Sequence, residues 1–295
     1  MTLAVKLASC NSPFVSLEFF PPSETEALPG FFKVVDELKV LNPLFVSVTY
    51  GAGGSRQDRT LAVTRELVQR GLTTMAHLTC VGASKKSIAA FLKDLQEAGV
   101  DNVLALRGDP PQNSQWQPNG SDFQYASDLV RFIRKTRPEM GIGVACYPTP
   151  HPQSDSFALD RRYTAEKMAA GADFAITQLF FDVREYLHLV DELRALGIAK
   201  PIIPGILTVQ SFASLRRILS LSGASIPGKL YLQMEEADKK GGAEAVREAG
   251  LIFACQEVRR LLDAGAPGVH LYTLNRADIC LEICRRVGLT AKNAS

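Results

Sequence analysis

The chain has 295 residues, of which 46% are hydrophobic and 22% are charged, a composition typical of a globular protein and not of a disordered one. The 33 Lys and Arg residues against 31 Asp and Glu residues leave a formal net charge of +2, which is too balanced for nucleic acid to be the main partner. No apolar run reaches the roughly 18 residues that a membrane span needs. Six cysteines are too few for a disulfide scaffold. We therefore expect a reduced, cytoplasmic protein with buried thiols and no membrane association.

Short apolar runs rich in strand-forming residues alternate along the chain with longer amphipathic segments. Near-continuous apolar strands separated by helices are typical of a parallel sheet whose outer face is covered. Eight such units predict an α/β fold, a (β/α)8 TIM barrel that forms one catalytic domain over residues 1–295, and a doubly wound open sheet is the alternative. The predicted strands are residues 14–20, 45–50, 73–79, 102–107, 142–147, 174–180, 201–207 and 268–274.

Residues that start and stop helices support this alternation. Ser84 and Gly99 flank an amphipathic segment, which predicts a helix between them. Ser121 or Asp122 is expected to cap the next helix, which should end at Arg137 because a proline follows.

The interval between the seventh and eighth predicted strands is unusually long. Two amphipathic segments, 210–221 and 244–264, predict extra helices inserted there. Pro227 and Gly228 predict a loop between these helices.

Polar residues at the ends of the predicted strands are the candidates for the chemistry, because the active site of such a barrel lies at the carboxyl ends of its strands. Glu18 lies in an otherwise apolar strand, where burial should raise the pKa of its carboxyl group and suit it to general acid catalysis. The alternative is a structural ion pair with a basic residue such as Arg107. Asp109, close to Arg107, could likewise serve in an ion pair or in the chemistry. Glu18 and Asp109 are therefore the candidate catalytic residues.

Other sequence patterns bear on phosphate, metal and covalent chemistry. The glycine-rich segment GAGGS at 51–55 could cradle a phosphate group or form a plain tight turn. The chain has four histidines and no H-x-H or H-E-x-x-H pattern, so we predict no metal site. No lysine stands at the end of a predicted strand, which argues against a Schiff-base aldolase.

Eight motifs follow one another at the predicted strand ends. They are SLEFFPP at 16–22, FVSVTYGAGGS at 45–55, AHLTC at 76–80, ALRGDPP at 105–111, YPTPHP at 147–152, AITQLFFD at 175–182, PIIPGIL at 201–207 and LYTLNRA at 271–277. In these motifs the chain resembles methylenetetrahydrofolate reductase, a flavin-dependent family of one-carbon metabolism, over residues 14–290. The resemblance is to the bacterial type, which consists of the catalytic domain only. Two positions differ from the usual family pattern: Thr208 replaces a proline and Tyr163 replaces an asparagine.

The resemblance implies a ping-pong reaction that reduces 5,10-methylenetetrahydrofolate to 5-methyltetrahydrofolate, with hydride from NAD(P)H passing through FAD. Glu18 would protonate the folate ring, and Asp109 would lie near the pterin and the flavin. Bacterial relatives generally prefer NADH. We also expect a homo-oligomer. A folate-binding barrel without reductase activity and a folate-dependent methyltransferase of the same fold are the alternatives.

The resemblance also implies which residues bind the ligands. FAD would be held without a Rossmann fingerprint, with Lys167 near the pyrophosphate and Asp160 near a ribose. The residues that contact FAD would be Thr49, His77, Arg107, Gly108, Asp109, Tyr125, Tyr147, His151, Asp160, Lys167 and Ala172. The residues that bind folate and nicotinamide would be Glu18, Gln178, Phe212, Tyr272 and Arg276.

Overall fold

Nine parallel strands form the centre of the protein in the computed structural model, which describes residues 2–50, 55–109, 122–222 and 224–289. The strands are short, and nearly all of their residues are buried. They are β1 (Phe14–Phe19), β2 (Val46–Val48), β3 (Thr74–Thr79), β4 (Asn102–Leu106), β5 (Gly141–Cys146), β6 (Phe174–Thr177), β7 (Ile202–Ile203), β8 (Gly205–Ile206) and β9 (Gly268–Tyr272).

The seventh predicted strand is divided into β7 and β8 at Pro204. Proline has no N–H to donate to a neighbouring strand, so the ladder is interrupted there. β7 pairs with β6, whereas β8 pairs with β9. The hydrogen-bonded order is β7-β6-β5-β4-β3-β2-β1-β9-β8, and Pro204 joins its two ends into a nearly closed barrel. The predicted (β/α)8 barrel is therefore confirmed over the doubly wound open sheet.

The helices follow the strands in the chain and cover the outer face of the barrel. Their apolar sides pack on the outward-facing strand residues and form the main hydrophobic core. The α-helices in the described residues are α1 (Leu3–Ser9), α2 (Leu28–Leu38), α3 (Ser55–Gln69), α4 (Lys85–Glu97), α5 (Ala126–Thr136), α6 (Phe157–Ala169), α7 (Val183–Ala195), α8 (Phe212–Ser222), α9 (Gly228–Asp263) and α10 (Ala277–Val287). Two short 3₁₀ helices cover Thr25–Ala27 and Lys39–Leu41.

Both ends of α4 agree with the sequence analysis. The hydroxyl of Ser84 accepts a hydrogen bond from the backbone N–H of Ser87 at 3.1 Å, and the hydroxyl of Ser87 accepts one from the N–H of Ser84 at 3.0 Å. This reciprocal pair satisfies two donors at the helix start. Gly99 follows the last turn with φ of +79°, which is the left-handed conformation expected of a helix-ending glycine.

The predicted cap of α5 is wrong. Ser121 lies outside the described residues, and the Asp122 carboxylate accepts a hydrogen bond from the N–H of Lys85 at 2.8 Å, at the start of α4. At α5 itself, the carboxylate of Asp128 accepts from the N–H of Tyr125 at 3.0 Å. A sequence shows that an aspartate suits a helix start, but two helix starts lie close together here and only the fold selects between them.

The chain between β8 and β9 forms α8 and α9. Residues 224–227 form the end of the predicted loop, but Gly228 is helical, because α9 begins at that residue and Pro227 stands at its N-cap, where a residue without an N–H is tolerated. The helical path is interrupted at Gly241 and Gly242, whose backbone angles are non-helical. The predicted helix 244–264 corresponds to the part of α9 that follows this interruption.

Apolar side chains fill the inside of the barrel at its amino end. The sequence analysis did not predict α1, which closes this end. Leu3 is fully buried there, and its N–H donates to Oδ1 of Asn102 at 2.7 Å. The carboxyl end is therefore where a cavity can form. The interior cluster consists of Leu3, Phe14, Phe45, Met75, Leu104, Phe174, Ile176 and Ile203.

Two expectations from composition can be compared with the fold. All six cysteines are free, and five of them are buried, as predicted. Within the described part of the chain, no helix is both long and apolar enough to cross a bilayer.

The narrow interior of the barrel predicts that Gly205 tolerates no side chain. A Cβ atom there would lie 2.5 Å from the carbonyl oxygen of Thr177 and 2.6 Å from the hydroxyl oxygen of Tyr272. We expect Gly205→Ala to lower the free energy of unfolding by about 1–3 kcal/mol, as overpacking does in other cores. Urea denaturation measures this change.

Gly30→Ala is the matched control. Gly30 lies in α2, and nothing lies within 4 Å of a Cβ atom built on it. Alanine loses less conformational freedom on folding, so this change should raise the free energy of unfolding by about 0.4–1 kcal/mol. Equal effects of the two substitutions would contradict the explanation based on close approach.

Candidate active site

A cavity of about 700 Å³ opens at the carboxyl end of the barrel. Its volume is in the range of sites that bind small molecules and cofactors. Thirteen of the residues proposed from the sequence line it: Glu18, Thr49, His77, Arg107, Gly108, Asp109, Tyr125, Tyr147, His151, Asp160, Lys167, Gln178 and Tyr272.

Three of the proposed residues lie outside this lining. Ala172 is fully buried in the core beneath it. The ring of Phe212 packs on Tyr231, with ring centroids 5.2 Å apart. The guanidinium group of Arg276 lies 3.2 Å from the carboxylate of Asp278. A role for these three residues in ligand binding stays a prediction.

Two histidines contact Glu18 at the floor of the cavity. The pairing of β1 with β9 places Ser16 opposite His270 and Glu18 opposite Tyr272, and alternate residues of a strand point to the same side. Oε2 of Glu18 lies 3.3 Å from Nε2 of His77, which β3 contributes, and 3.7 Å from Nε2 of His270. Glu18 is only 6% exposed, so these histidines replace water around its charge.

The histidines reverse the effect that burial has on Glu18. Burial by itself raises the pKa of this carboxyl, but the positive charge of His77 and the neighbouring imidazole of His270 outweigh it and lower the pKa to about 2. The raised pKa expected from the sequence is therefore wrong. The alternative pair with Arg107 is also wrong, since its Nη2 donates to Oε1 of Gln153 at 2.7 Å while Glu18 faces the histidines.

The loop after β9 holds the end of β1 in place. The hydroxyl of Thr273 donates to the carbonyl oxygen of Glu18 at 2.6 Å. The side chain of Asn275 donates to the carbonyl oxygen of Phe20 at 2.7 Å and accepts from its N–H at 3.1 Å. Leu274 and Asn275 both adopt positive φ, +47° and +56°, which is costly for residues other than glycine. This strained turn fixes the backbone at Glu18 and at Phe20.

Nitrogen donors form one wall of the cavity. Nζ of Lys167 donates to the carbonyl oxygen of Ala145 on β5 at 2.5 Å. Nδ1 of His151 accepts from the N–H of Gln153 at 3.1 Å, and burial lowers the pKa of His151, so its neutral ring carries hydrogen on Nε2. Together with Arg107, these side chains suit an anionic ligand such as a phosphate group.

Asp160 is buried in the same wall and has one free oxygen. Its Oδ2 accepts from the N–H of His151 at 3.1 Å, whereas its Oδ1 has no hydrogen bond to the described residues and lies 3.5 Å from Arg161. Arg161 donates to the carbonyl oxygens of Tyr147 and Pro148 and so holds the loop after β5. Buried polar atoms are normally paired, so the free oxygen is available to a hydroxyl group of a ligand.

Gly108 sets the direction of the chain after β4. Its φ is +82°, and a Cβ atom would lie 2.9 Å from a threonine side chain of β3, so only glycine fits there. The turn lets Arg107 and the exposed Asp109 both line the cavity, and no ion pair between these two is found in the described structure. The segments 51–54 and 110–111 of the predicted site lie outside the described residues.

His270 and its neighbours were not predicted from the sequence as site residues. Ser16 and Ser47 contact the ring of His270 through their hydroxyl oxygens, at 2.9 and 3.4 Å. The available signal was a polar residue in the apolar run GVHLY at 268–272, which is the same kind of signal that identified Glu18. Tyr163, where the chain differs from the usual family pattern, lines the cavity.

The sequence is similar to known proteins along nearly its whole length. A family model described as methylenetetrahydrofolate reductase matches residues 4–288. The chain is 37% identical over 276 residues to the 5,10-methylenetetrahydrofolate reductase of Escherichia coli (strain K12), with 93% of this chain and 90% of that protein covered. It is 37% identical over 281 residues to methylenetetrahydrofolate reductase 1 of Schizosaccharomyces pombe, with 94% of this chain and 46% of that protein covered. The chain thus spans about half the length of this fungal relative.

A solved structure supports the fold at much lower identity. An uncharacterized protein from Clostridium thermocellum, which binds two copies of 5-methyl-5,6,7,8-tetrahydrofolic acid, matches with a TM-score of 0.69. The match covers 97% of this chain and 98% of that one, at 14% sequence identity. At this identity the likeness concerns the fold alone.

The contacts of Glu18 predict that replacing His77 with glutamine (His77→Gln) raises the pKa of the Glu18 carboxyl. Burial remains in this variant, while the nearby positive charge 3.3 Å away is lost. Infrared spectroscopy between about pH 5 and pH 7 should then show a protonated carboxyl band that is absent from the unsubstituted protein. Adding Glu18→Gln to the same variant identifies the band by removing it.

His188→Gln is the matched control for the loss of a histidine. The side chain of His188 is 63% exposed and lies 3.4 Å from Glu192 on the surface of α7. This change should leave the ionisation of Glu18 as it is. If the ionisation of Glu18 were the same in His77→Gln as in the unsubstituted protein, His77 would not stabilise the charge of Glu18.

Proposed function

The chain belongs to the methylenetetrahydrofolate reductase family, and from this we propose that it reduces 5,10-methylenetetrahydrofolate to 5-methyltetrahydrofolate with hydride from NAD(P)H through FAD. Membership of the family supports the reduction of methylenetetrahydrofolate, and the use of FAD and NAD(P)H is the further part of the proposal. The observation that carries it is Glu18, a buried carboxyl group between two histidines at the floor of a cavity of about 700 Å³.

The wall of the cavity fits FAD. Arg107, His151 and Lys167 offer nitrogen donors for a pyrophosphate, and the free Oδ1 of Asp160 offers an acceptor for a ribose hydroxyl. The ring of Tyr163, which is 49% exposed, offers a surface for a planar group. Bound FAD supplies the transfer of hydride from the nicotinamide to the folate, while the protein supplies binding, orientation and electrostatics.

Glu18 acts as the acid in the folate half of the reaction. Its proton goes to a nitrogen of the five-membered ring, whose bond to the one-carbon unit breaks with the electron pair moving to that nitrogen. A cationic iminium results, which the carboxylate of Asp109 stabilises. Tyr272 stays fixed at the floor because its hydroxyl donates to the carbonyl oxygen of Thr177 at 2.6 Å.

A change at Asp160 should distinguish FAD from FMN. Asp160→Asn keeps an oxygen that can accept from His151 but removes the charge and half of the accepting capacity. The loss of one hydrogen bond to the ribose of the adenosine half costs about 1–2 kcal/mol, so FAD affinity should fall about tenfold. FMN lacks this half, and its affinity should not change. Quenching of flavin fluorescence measures both dissociation constants in the apoprotein.

Asp155→Asn is the control for this change. Asp155 lies five residues before Asp160, just ahead of α6, is exposed and does not line the cavity. It should leave the affinity for both flavins unchanged. Equal weakening of FMN and FAD by Asp160→Asn would place Asp160 away from the adenosine half.

Glu18→Gln should separate the two halves of the reaction. Transfer of hydride from NADH to the flavin needs no acid, so the flavin should still bleach with NADH. Opening of the methylenetetrahydrofolate ring needs a proton, so reoxidation of the reduced flavin by this folate should slow by about 10²-fold or more. Stopped-flow absorbance in anaerobic single turnovers measures each half separately.

Glu97→Gln, on the exposed end of α4, controls for the loss of a carboxyl elsewhere. Reoxidation of Glu18→Gln at the unsubstituted rate would mean that another group is the acid. A folate-binding barrel without reductase activity, or a methyltransferase, would show no flavin reduction by NADH in the unsubstituted protein.

A further inference from the structure

His270 lies behind Glu18 and is completely buried. Its Nε2 lies 3.7 Å from Oε2 of Glu18 and 3.4 Å from the hydroxyl of Ser47, and its Nδ1 lies 2.9 Å from the hydroxyl of Ser16. Its ring stacks on Phe45 with centroids 5.6 Å apart. Among the described residues that line the cavity, His270 does not appear, so a ligand in the cavity leaves these contacts in place.

Ser16 lies between Nδ1 of His270, at 2.9 Å, and the carbonyl oxygen of Val269, at 3.3 Å. We assign the single hydrogen of its hydroxyl to the carbonyl oxygen, which leaves the hydroxyl oxygen to accept from Nδ1 of His270. With this assignment the neutral ring carries hydrogen on Nδ1 and has a lone pair on Nε2, the nitrogen that faces Glu18. A proton between the two groups can lie on Oε2 of Glu18 or on Nε2 of His270.

We propose that His270 is a positioning residue that stores, on Nε2, the proton that Glu18 delivers to the folate. The inference rests on the proposed function and adds a residue to it. A carboxyl group whose pKa is held low is ionised at neutral pH and has no proton of its own to deliver. An imidazole titrates near neutral pH. Burial lowers the pKa of His270, while the Glu18 carboxylate 3.7 Å away opposes that shift, so the carboxylate is the neighbour that holds a proton on Nε2. The two groups act as one acid, with an apparent pKa that belongs to the pair.

The proton transfer is balanced without any further reactant. The loaded pair consists of a carboxylate at Glu18 and an imidazolium at His270. The proton moves from Nε2 to Oε2 and then to the ring nitrogen of the folate, as that nitrogen takes the electron pair of its broken bond. The pair is left as a carboxylate and a neutral imidazole, and it takes its next proton from solvent.

The other titratable groups that face the pair are His77 on β3 and Tyr272 on β9. His77 lies 3.3 Å from Glu18, but it lines the cavity and its Nε2 has no well-formed hydrogen bond to the described residues. Burial raises the pKa of Tyr272 well above its usual value, so this phenol does not titrate near neutral pH. Ser47 of β2 and Phe45, the residue before β2, face the pair with uncharged side chains. His270 is thus the enclosed imidazole beside Glu18, and His77 is the one open to the cavity.

The pH dependence of the folate half-reaction tests the proposal in the holoenzyme. After anaerobic reduction with NADH, reoxidation of the flavin by methylenetetrahydrofolate is followed between about pH 5.5 and pH 8.5. The rate should fall above the apparent pKa of the pair. In His270→Gln only the carboxyl remains to hold the proton, so this pKa should drop by at least about one unit. The rate should then be about tenfold lower near pH 7.5 and close to that of the unsubstituted protein near pH 5.5.

Ser16→Ala tests the same proposal without removing the imidazole. The acceptor for Nδ1–H is lost, so nitrogen NMR of the His270 ring in the ligand-free protein should change from one tautomer toward a mixture. The pH profile of reoxidation should move in the same direction as in His270→Gln, but by less. This variant also keeps the proposal testable if His270→Gln folds poorly.

Phe45→Leu controls for packing. It changes the ring that stacks on His270 and leaves both ring nitrogens and their partners. If it alters the rate, it should do so by the same factor at every pH. If the reoxidation rate of His270→Gln were also changed by the same factor at every pH, the proposal would be overturned, because His270 would then have a purely structural role.

The remaining outcomes are also decisive. A profile that moves in His77→Gln and stays unchanged in His270→Gln would assign the stored proton to His77 and overturn the proposal. Failure of the unsubstituted protein to reduce its flavin with NADH, or to reoxidise it with methylenetetrahydrofolate, would instead refute the proposed function. The two failures are therefore distinguishable.

Discussion

The charge of Glu18, held out of water at the floor of a barrel, is the constraint on which the site depends. A buried carboxylate costs several kcal/mol unless partners replace its hydration. Here the partners are His77 and His270, which β3 and β9 bring to the same oxygen. The register that pairs Glu18 with Tyr272 on one side and with Ser47 on the other makes this possible, since it turns all of these side chains inward.

The cavity divides into two parts with different chemistry. The part formed by β4, β5 and α6 presents the nitrogen donors of Arg107, His151 and Lys167 beside the free oxygen of Asp160. The part formed by β1, β3 and β9 presents the Glu18 carboxylate and the His77 imidazole, with His270 enclosed behind them. A ligand with an anionic end would therefore meet different partners at its two ends, which would orient it before any reaction. The apolar amino end, closed by α1, keeps both parts on one side of the barrel.

The sequence by itself determined the architecture and most of the cavity lining. Apolar runs alternating with amphipathic segments are a local pattern, because a strand covered on both faces must be apolar throughout. Glu18 was identified by the same local contrast, a carboxyl in an apolar strand. The motifs at the strand ends include part of the remaining lining, whereas Asp160 and Lys167 were predicted only through the resemblance to the family. Ser84 and Gly99 were recognised because helix ends depend on the backbone conformation of single residues.

Only the tertiary structure decided the sign of the pKa shift of Glu18 and the part that His270 plays. Burial can be inferred from one strand, whereas the charge that faces a buried group comes from other strands, and the register of the sheet sets the distance. The same reason explains Asp122, whose side chain serves the helix start nearest in space and not the one that follows in sequence. It also explains why α1 was not predicted. Its seven residues are too few for a stable helix in isolation, and what burial they have comes from the barrel that they close.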